Sequence, residues 1–164
     1  MDNYPPKSGQ TVPDSIWAAA LRASASVARR ATSSEAEVLA SVVEELRRLN
    51  LRGSVSLLGA DGRMELRERA LSSSLEHTFE RLAGIPIPGF RFDPMKVDMY
   101  RQAIESGHAV YADRHSDLVR QMTPEGVRQI VPRVLHLLGE EPIIVAPLVL
   151  ADETIGAISV TASW

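Results

Sequence analysis

A chain of 164 residues, 45% hydrophobic and 24% charged, has room for one domain, and at this length folding buries roughly 70% of the surface that the unfolded chain exposes. A formal net charge of −3 gives no basic face for general nucleic-acid binding, and the absence of cysteine excludes disulfides, thiolate metal sites, cysteine nucleophiles and thioether-linked cofactors. No apolar run reaches the roughly 20 residues that cross a bilayer, and Met1–Pro6 has neither the basic nor the apolar region of a secretory signal, so a cytoplasmic location is expected.

Residues 1–13, with three prolines and no hydrophobic period, read as a flexible tail. From Asp14 onward Ile16, Trp17, Ala20, Leu21, Val27 and Ala28 recur at helical spacing, so 14–31 is expected to be an N-terminal helix for signalling or dimerisation. A second helix, capped by Ser33 or Ser34, carries Glu35 and Glu37 at its positive end. Its broad apolar face is Val38, Leu39, Val42, Val43, Leu46 and Leu49, and Asn50 and Gly53 should stop it. Whether these helices cover a sheet or pair with their copies in a homodimer is not decided by periodicity.

Ser54–Leu58, the turn Gly59–Gly62 and Met64–Ala70 read as a β-hairpin. Met64, Leu66 and Ala70 alternate with Glu65, Arg67 and Arg69, so the pair should have one wet face and lie near a sheet edge. A short helix over Leu75–Ala83 ends at Gly84, and the apolar, proline-rich stretch Ile85–Pro94 is expected to fold down as an irregular lid. Met95–Ser106 resumes a helix stopped by Gly107, His108–Asp113 is a short strand, and Arg114–Met122 wanders or makes a helical turn. Thr123-Pro124-Glu125 starts another helix, which Pro132 must kink or restart before Gly139 ends it.

The last stretch, Ile143–Val160, is two apolar runs around the polar Ala151–Thr154, an antiparallel hairpin apolar on both faces and therefore expected at the centre of a sheet covered on both sides. Pro147 cannot donate to a ladder and should lie at a bulge or face an unpaired side, while Gly156 allows a close neighbour.

The order of elements, together with GSVSLLGADGRM at Gly53–Met64, IESGHAVYAD at Ile104–Asp113 and APLVLADETIGAISV at Ala146–Val160, resembles a GAF domain, the PAS-like sensing module of bacterial signalling proteins. The resemblance spans 32–164. It implies an α+β fold, a GAF/PAS-like α/β/α sandwich around a central antiparallel sheet of five or six strands. It also implies a ligand pocket on one sheet face, a homodimer, and an output domain downstream in the same chain. GAF domains continue into a C-terminal helix beyond this hairpin, so 32–164 is expected to be a GAF domain lacking that helix.

The chemistry that remains is limited. His77, His108, His115 and His136 form no metal-ligand pattern, no G-x-S-x-G elbow or phosphate loop is present, and no catalytic residue or metal ligand is assigned. The enzymatic methionine sulfoxide reductase branch of GAF domains needs cysteines, which also hold bilins, so a covalent bilin is excluded. The cyclic-nucleotide signature is absent, and haem at His115 has no support. The cofactor is unknown. The expected pocket residues are Phe90, Phe92, Met95, Met99, Tyr100, Tyr111 and His115, with Arg91 as a further polar handle, suited to an uncharged or weakly polar ligand. The function implied is a non-enzymatic small-molecule sensor, part of a histidine kinase; a ligand-free dimerisation and relay module, or the effector domain of a transcription regulator, is the alternative.

Overall fold

The computed structural model describes residues 34–84, 86 and 89–162. The expected tail 1–13 and helix 14–31 lie outside them. The chain runs α1 (Glu35–Arg48), β1 (Leu51–Leu58), β2 (Met64–Ala70), α2 (Ser73–Ala83), β3 (Arg91–Phe92), a 3-10 turn (Pro94–Lys96) and α3 (Asp98–Ser106). It continues with β4 (Val110–Ala112), α4 (Ser116–Met122), a second 3-10 turn (Glu125–Ile130), α5 (Val131–Leu138), β5 (Ile143–Leu150) and β6 (Glu153–Ala162). The strands form one antiparallel sheet in the order β3-β2-β1-β6-β5-β4.

Local chemistry sets most boundaries. Ser34 Oγ accepts from Glu37 N–H to open α1, and Ser72 Oγ accepts from Leu75 N–H to open α2. Gly84 and Gly107 close α2 and α3 in the left-handed conformation. The helix across Pro132 restarts rather than kinks: 125–130 is 3-10, and α5 begins at Val131 with the proline in its first turn, where no N–H is needed.

Several expectations are corrected. The strand β1 starts at Leu51, so Gly53 lies inside it, and it sits at the sheet centre between β2 and β6 rather than near an edge. Residues Arg91 and Phe92 of the lid form a strand paired with Glu65 and Met64, because the prolines flank that dipeptide without occupying it. The helix expected from Met95 begins at Asp98 after a 3-10 turn. The loop of the last hairpin is only Ala151-Asp152, both at positive φ (48° and 66°), the geometry that matches strand twist in a two-residue turn. Pro147 lies past Val145, the last β5 residue that β4 pairs, so no strand on that side requires its N–H.

The register separates two faces. On the outer face α1 lies across β1 and β2, with Val43 and Leu46 packed on Ala70, Leu51, Ile158 and Val160. This cover does not reach β5 and β4: Ile144 is 44% exposed, and Tyr111, its cross-strand partner, is 60% exposed. The last hairpin is therefore not covered on both sides along its whole length. The inner face carries the main core of Met64, Phe92, Val97, Tyr100, Ala103, Leu118, Ile143, Val145 and Ala157. Burying a large side chain of this kind contributes about 1.5–3 kcal/mol.

β1 and β6 approach closely through two glycines. A Cβ on Gly53 would stand 2.4 Å from the Ser159 carbonyl oxygen, and one on Gly156 would stand 2.3 Å from the Ser56 carbonyl oxygen. In both cases the obstacle is backbone, so neither collision is relieved by turning a side chain. Gly156→Ala should lower stability by about 2 kcal/mol or more, whereas Gly126→Ala, with nothing near its added methyl group, should change it by less than about 0.5 kcal/mol. Urea midpoints of the two variants, measured side by side, check this.

Candidate ligand cavity

Between the inner sheet face and the helices α2, α4 and α5 lies a cavity of about 220 Å³. The strands supply its floor: Arg52 and Ser54 from β1, Leu66 and Arg69 from β2, Ile143 from β5, Ser159 and Thr161 from β6. Leu75, Leu118, Met122, Ile130 and Leu138 form apolar walls, and Pro86 and Phe90 reach it from the stretch expected to be a lid. A wider groove of about 660 Å³ runs along the outer side of α5 past Pro132 and His136. Its arginines, Arg120 and Arg128, pair with Asp117 and Glu125 on their own elements. The inner cavity is the better ligand site because it combines apolar walls with a few buried polar groups.

Those polar groups are held in place. Arg52 forms an ion pair with Glu141 and donates to the Leu138 carbonyl at 2.8 Å. Arg69 pairs with Glu76 at 3.0 Å. His115, only 4% exposed, donates its backbone N–H to the Glu141 carbonyl at 3.1 Å, and its ring Nδ1 lies 3.3 Å from the Glu141 N–H. Glu141, in the connection between α5 and β5, thus fixes both Arg52 and His115. Nε2 of His115 is buried without a hydrogen-bond partner, as is Nε of Arg52. The other histidines, His77, His108 and His136, are exposed. Among the described residues no group of three or more His, Asp or Glu side chains could hold a metal ion, and no helix is long and apolar enough to cross a membrane.

Of the residues expected in the pocket, Phe90 and His115 line this cavity. Phe92 and Tyr100 lie beside it in the core, linked to Phe90 by an aromatic series: Phe90 stacks on Phe92 at 6.2 Å between ring centres, and Phe92 meets Tyr100 edge-on at 4.9 Å. Met99 packs against the same core. Met95 is 48% exposed, and Tyr111 stands on the outer face with its hydroxyl donating to Asp113 at 3.0 Å. Arg91 turns away to Asp61, 2.7 Å distant.

Sequence reasoning passed over Arg52, Ser54, Arg69, Ser159 and Thr161. The polar alternation Arg52, Ser54, Ser56 was their signal, but on its own it reads as a wet face. Arg69 was hidden by a bulge. Val55 pairs with Glu68 and Ser56 with Leu66, which leaves Arg67 as an extra residue. Past it the alternation inverts, bringing Arg69 to the cavity face and Ala70 to the face under α1.

No protein-family model matches the sequence, and no curated protein does. Solved structures do match. The GAF domain of an Acinetobacter phosphoenolpyruvate-protein phosphotransferase is 12% identical with a TM-score of 0.57, over 92% of this chain and 79% of that one. The A. aeolicus nlh2 GAF domain in an inactive state is 13% identical with a TM-score of 0.57, over 89% and 82%. The chromophore-binding domain of Stigmatella aurantiaca phytochrome P1 is 17% identical with a TM-score of 0.56, over 96% of this chain and 55% of that one.

This chain has the GAF fold. The six-stranded antiparallel sheet falls at the upper end of the expected five or six strands.

Beside the cavity of this GAF fold, Tyr100 is fully enclosed, and burial pushes its phenol above the ordinary value of 10. The hydroxyls of Ser159, Ser56 and Ser54 lie against it and oppose that shift without cancelling it. A raised folded-state pKa makes the neutral phenol's contribution complete below the unfolded value and lost as pH rises through the folded one. Tyr100→Phe should therefore cost about 1 kcal/mol near neutrality, and the gap from wild type should shrink as pH climbs from 9 to about 11. Urea titrations across that range test the sign: a constant gap would contradict it.

Proposed function

We propose that this GAF domain is a non-enzymatic, small-molecule-sensing segment of a cytoplasmic signal-transduction protein, the sensor part of a histidine kinase. The observation that carries the reading is the inner cavity, whose one buried histidine faces apolar walls with an unpartnered ring nitrogen. The likeness to the Stigmatella chromophore-binding domain supports it, since that domain binds a chromophore. Without cysteine this chain has no thioether attachment for a ligand.

Transmission follows from the sheet being one layer thick. Ser54 and Ser159 face the cavity, while their chain neighbours Val55, Ile158 and Val160 face outward toward the side that α1 covers. A ligand bound under Pro86 and Phe90 would draw these two residues inward and shift the strands that α1 rests on. The helix would then pass the change to an output domain in the same chain. The shift is driven only by the difference in ligand affinity between the two arrangements.

Thermal melts against a metabolite panel, read with limited proteolysis, test this proposal. A ligand should raise the melting temperature by several degrees at a hundredfold excess over its dissociation constant and protect residues 85–122. In Met122→Trp, where the indole occupies cavity space, the shift should vanish while the circular dichroism spectrum is retained. A panel with no ligand-dependent protection would remove the sensing half of the proposal.

The exposed Tyr111 and Ile144 on the outer face support a second reading, a ligand-free homodimerisation and relay module, including one within a transcription regulator. Under that reading Ile144→Glu and Trp17→Glu should each weaken self-association at least tenfold in sedimentation equilibrium. Unchanged behaviour of both would sink it.

A further inference from the structure

We infer that the cavity selects an uncharged, compact, largely apolar molecule carrying one hydrogen-bond acceptor, such as a carbonyl oxygen, and that His115 Nε2–H and Arg52 Nε–H are the donors that read it. The inference rests on the sensing proposal above and adds the ligand's chemical class.

The first argument is the tautomer of His115. Nδ1 lies 3.2 Å from the Glu141 carbonyl oxygen and 3.3 Å from the Glu141 nitrogen; the carbonyl already accepts from the His115 backbone N–H, whereas the Glu141 N–H has Nδ1 as its acceptor and would meet a second hydrogen there if Nδ1 were protonated. Nδ1 is therefore the unprotonated nitrogen, and the ring proton sits on Nε2. Nε2 is buried and unpartnered on a residue that lines the cavity. Nε of Arg52 and Nε of Arg69 are also buried donors without a hydrogen-bond partner, but Arg69 Nε lies 3.0 Å from the Glu76 carboxylate, which leaves Arg52 Nε beside His115 as the donor a ligand can use. Both residues are anchored by Glu141, so the two donors belong to one end of the cavity. Two donors at one end call for an acceptor.

Charge supplies the second argument. Arg52 and Arg69 are the cavity's permanent cations, and each already has a carboxylate, Glu141 and Glu76 respectively. An incoming carboxylate or phosphate would have to displace Glu141 from Arg52 or remain buried beside it, and either is costly in an apolar enclosure. A neutral acceptor uses Nε of Arg52 and leaves the ion pair intact. The remaining hydroxyls are largely committed: Ser54 and Ser159 bond each other at 2.9 Å, and Thr123 donates to the Val119 carbonyl at 2.6 Å.

Size sets the last limit. A cavity of roughly 150 Å³ accommodates benzene, so 220 Å³ suits a molecule of about nine non-hydrogen atoms. Acetophenone, ethylbenzene and benzoate form a matched set of that size: a neutral acceptor, no acceptor, and an anionic acceptor. Dissociation constants from NMR titration of the 164-residue chain should place acetophenone about fivefold or more tighter than ethylbenzene, the worth of one buried hydrogen bond, and tighter than benzoate by a larger margin. Acetophenone should also move the His115 Nε2 resonance in the wild-type chain, a readout that needs no variant. In His115→Leu its advantage over ethylbenzene should fall by at least about twofold, the remainder being the Arg52 bond.

Tightest binding by benzoate would overturn the neutral class, and parity of ethylbenzene with acetophenone would overturn the role of the two donors; both outcomes leave a ligand-binding cavity standing. If no probe moves a cavity resonance while the metabolite panel yields a ligand, the class assignment alone falls. If probes and panel are both silent, the sensing proposal falls with it.

Discussion

The structure depends on the close union of β1 and β6. These strands are the centre of the sheet, and every other layer is built on one of their two faces: α1 on the outside, the aromatic core and the cavity on the inside. Their approach requires Gly53 and Gly156, because a methyl group at either position would collide with the backbone carbonyl of the opposite strand. Gly53 also lies where α1 comes down, with Leu46 Cδ1 at 3.1 Å from its notional Cβ. The two glycines therefore bring the strands together and Gly53 lets the outer helix sit close, which makes the sheet a thin partition between helix and cavity.

The partition has unlike faces because of what alternates along it. Outward residues of β1 and β6, such as Val55, Ile158 and Val160, are aliphatic. Inward ones include Ala157 and, toward the cavity, Arg52, Ser54, Ser56, Ser159 and Thr161, small hydroxyls and one arginine. A polar inner face is compatible with burial only if its groups find partners. Ser54 and Ser159 bond each other beside Tyr100, and Glu141 meets Arg52. Between them the covering elements are short: a seven-residue α4, a 3-10 turn and an eight-residue α5 restarted at Pro132. Short pieces meeting at angles do not close on a sheet as one long amphipathic helix does, and the space they leave is the cavity.

The fold was legible in the sequence where periodicity and punctuation agree. A serine cap and the apolar face from Val38 to Leu46 place α1, the stop at Gly84 places the end of α2, and the two apolar runs around Ala151–Thr154 place β5 and β6. The candidate site was less legible for two physical reasons. Aromatic residues close in sequence, from Phe90 to Tyr111, do not share an environment, since strand alternation sends Tyr111 to the outer face while Tyr100 enters the core. The groups that give the cavity its polarity come from four segments far apart in the chain, and the Arg67 bulge inverts the side that Arg69 faces. A single extra residue in a strand leaves no mark in a hydrophobic pattern but turns every later side chain over.

His115 shows how the two levels of reading meet. From sequence it was set apart only by its place after a short strand. In the fold that strand, β4, ends at Ala112, and the chain turns so that His115 immediately precedes α4 and lies against Glu141 as the chain enters β5. The backbone of Glu141 fixes the imidazole, and the side chain of Glu141 fixes Arg52. One residue in a connecting segment thereby orients two donors contributed by parts of the chain some sixty residues apart. A displacement of the Glu141 backbone would be felt at both donors, because that backbone contacts His115 and carries the carboxylate that holds Arg52. That coupling gives the cavity a defined polar end, and it connects occupancy of that end to Arg52, a residue of the central strand on which the outer helix rests.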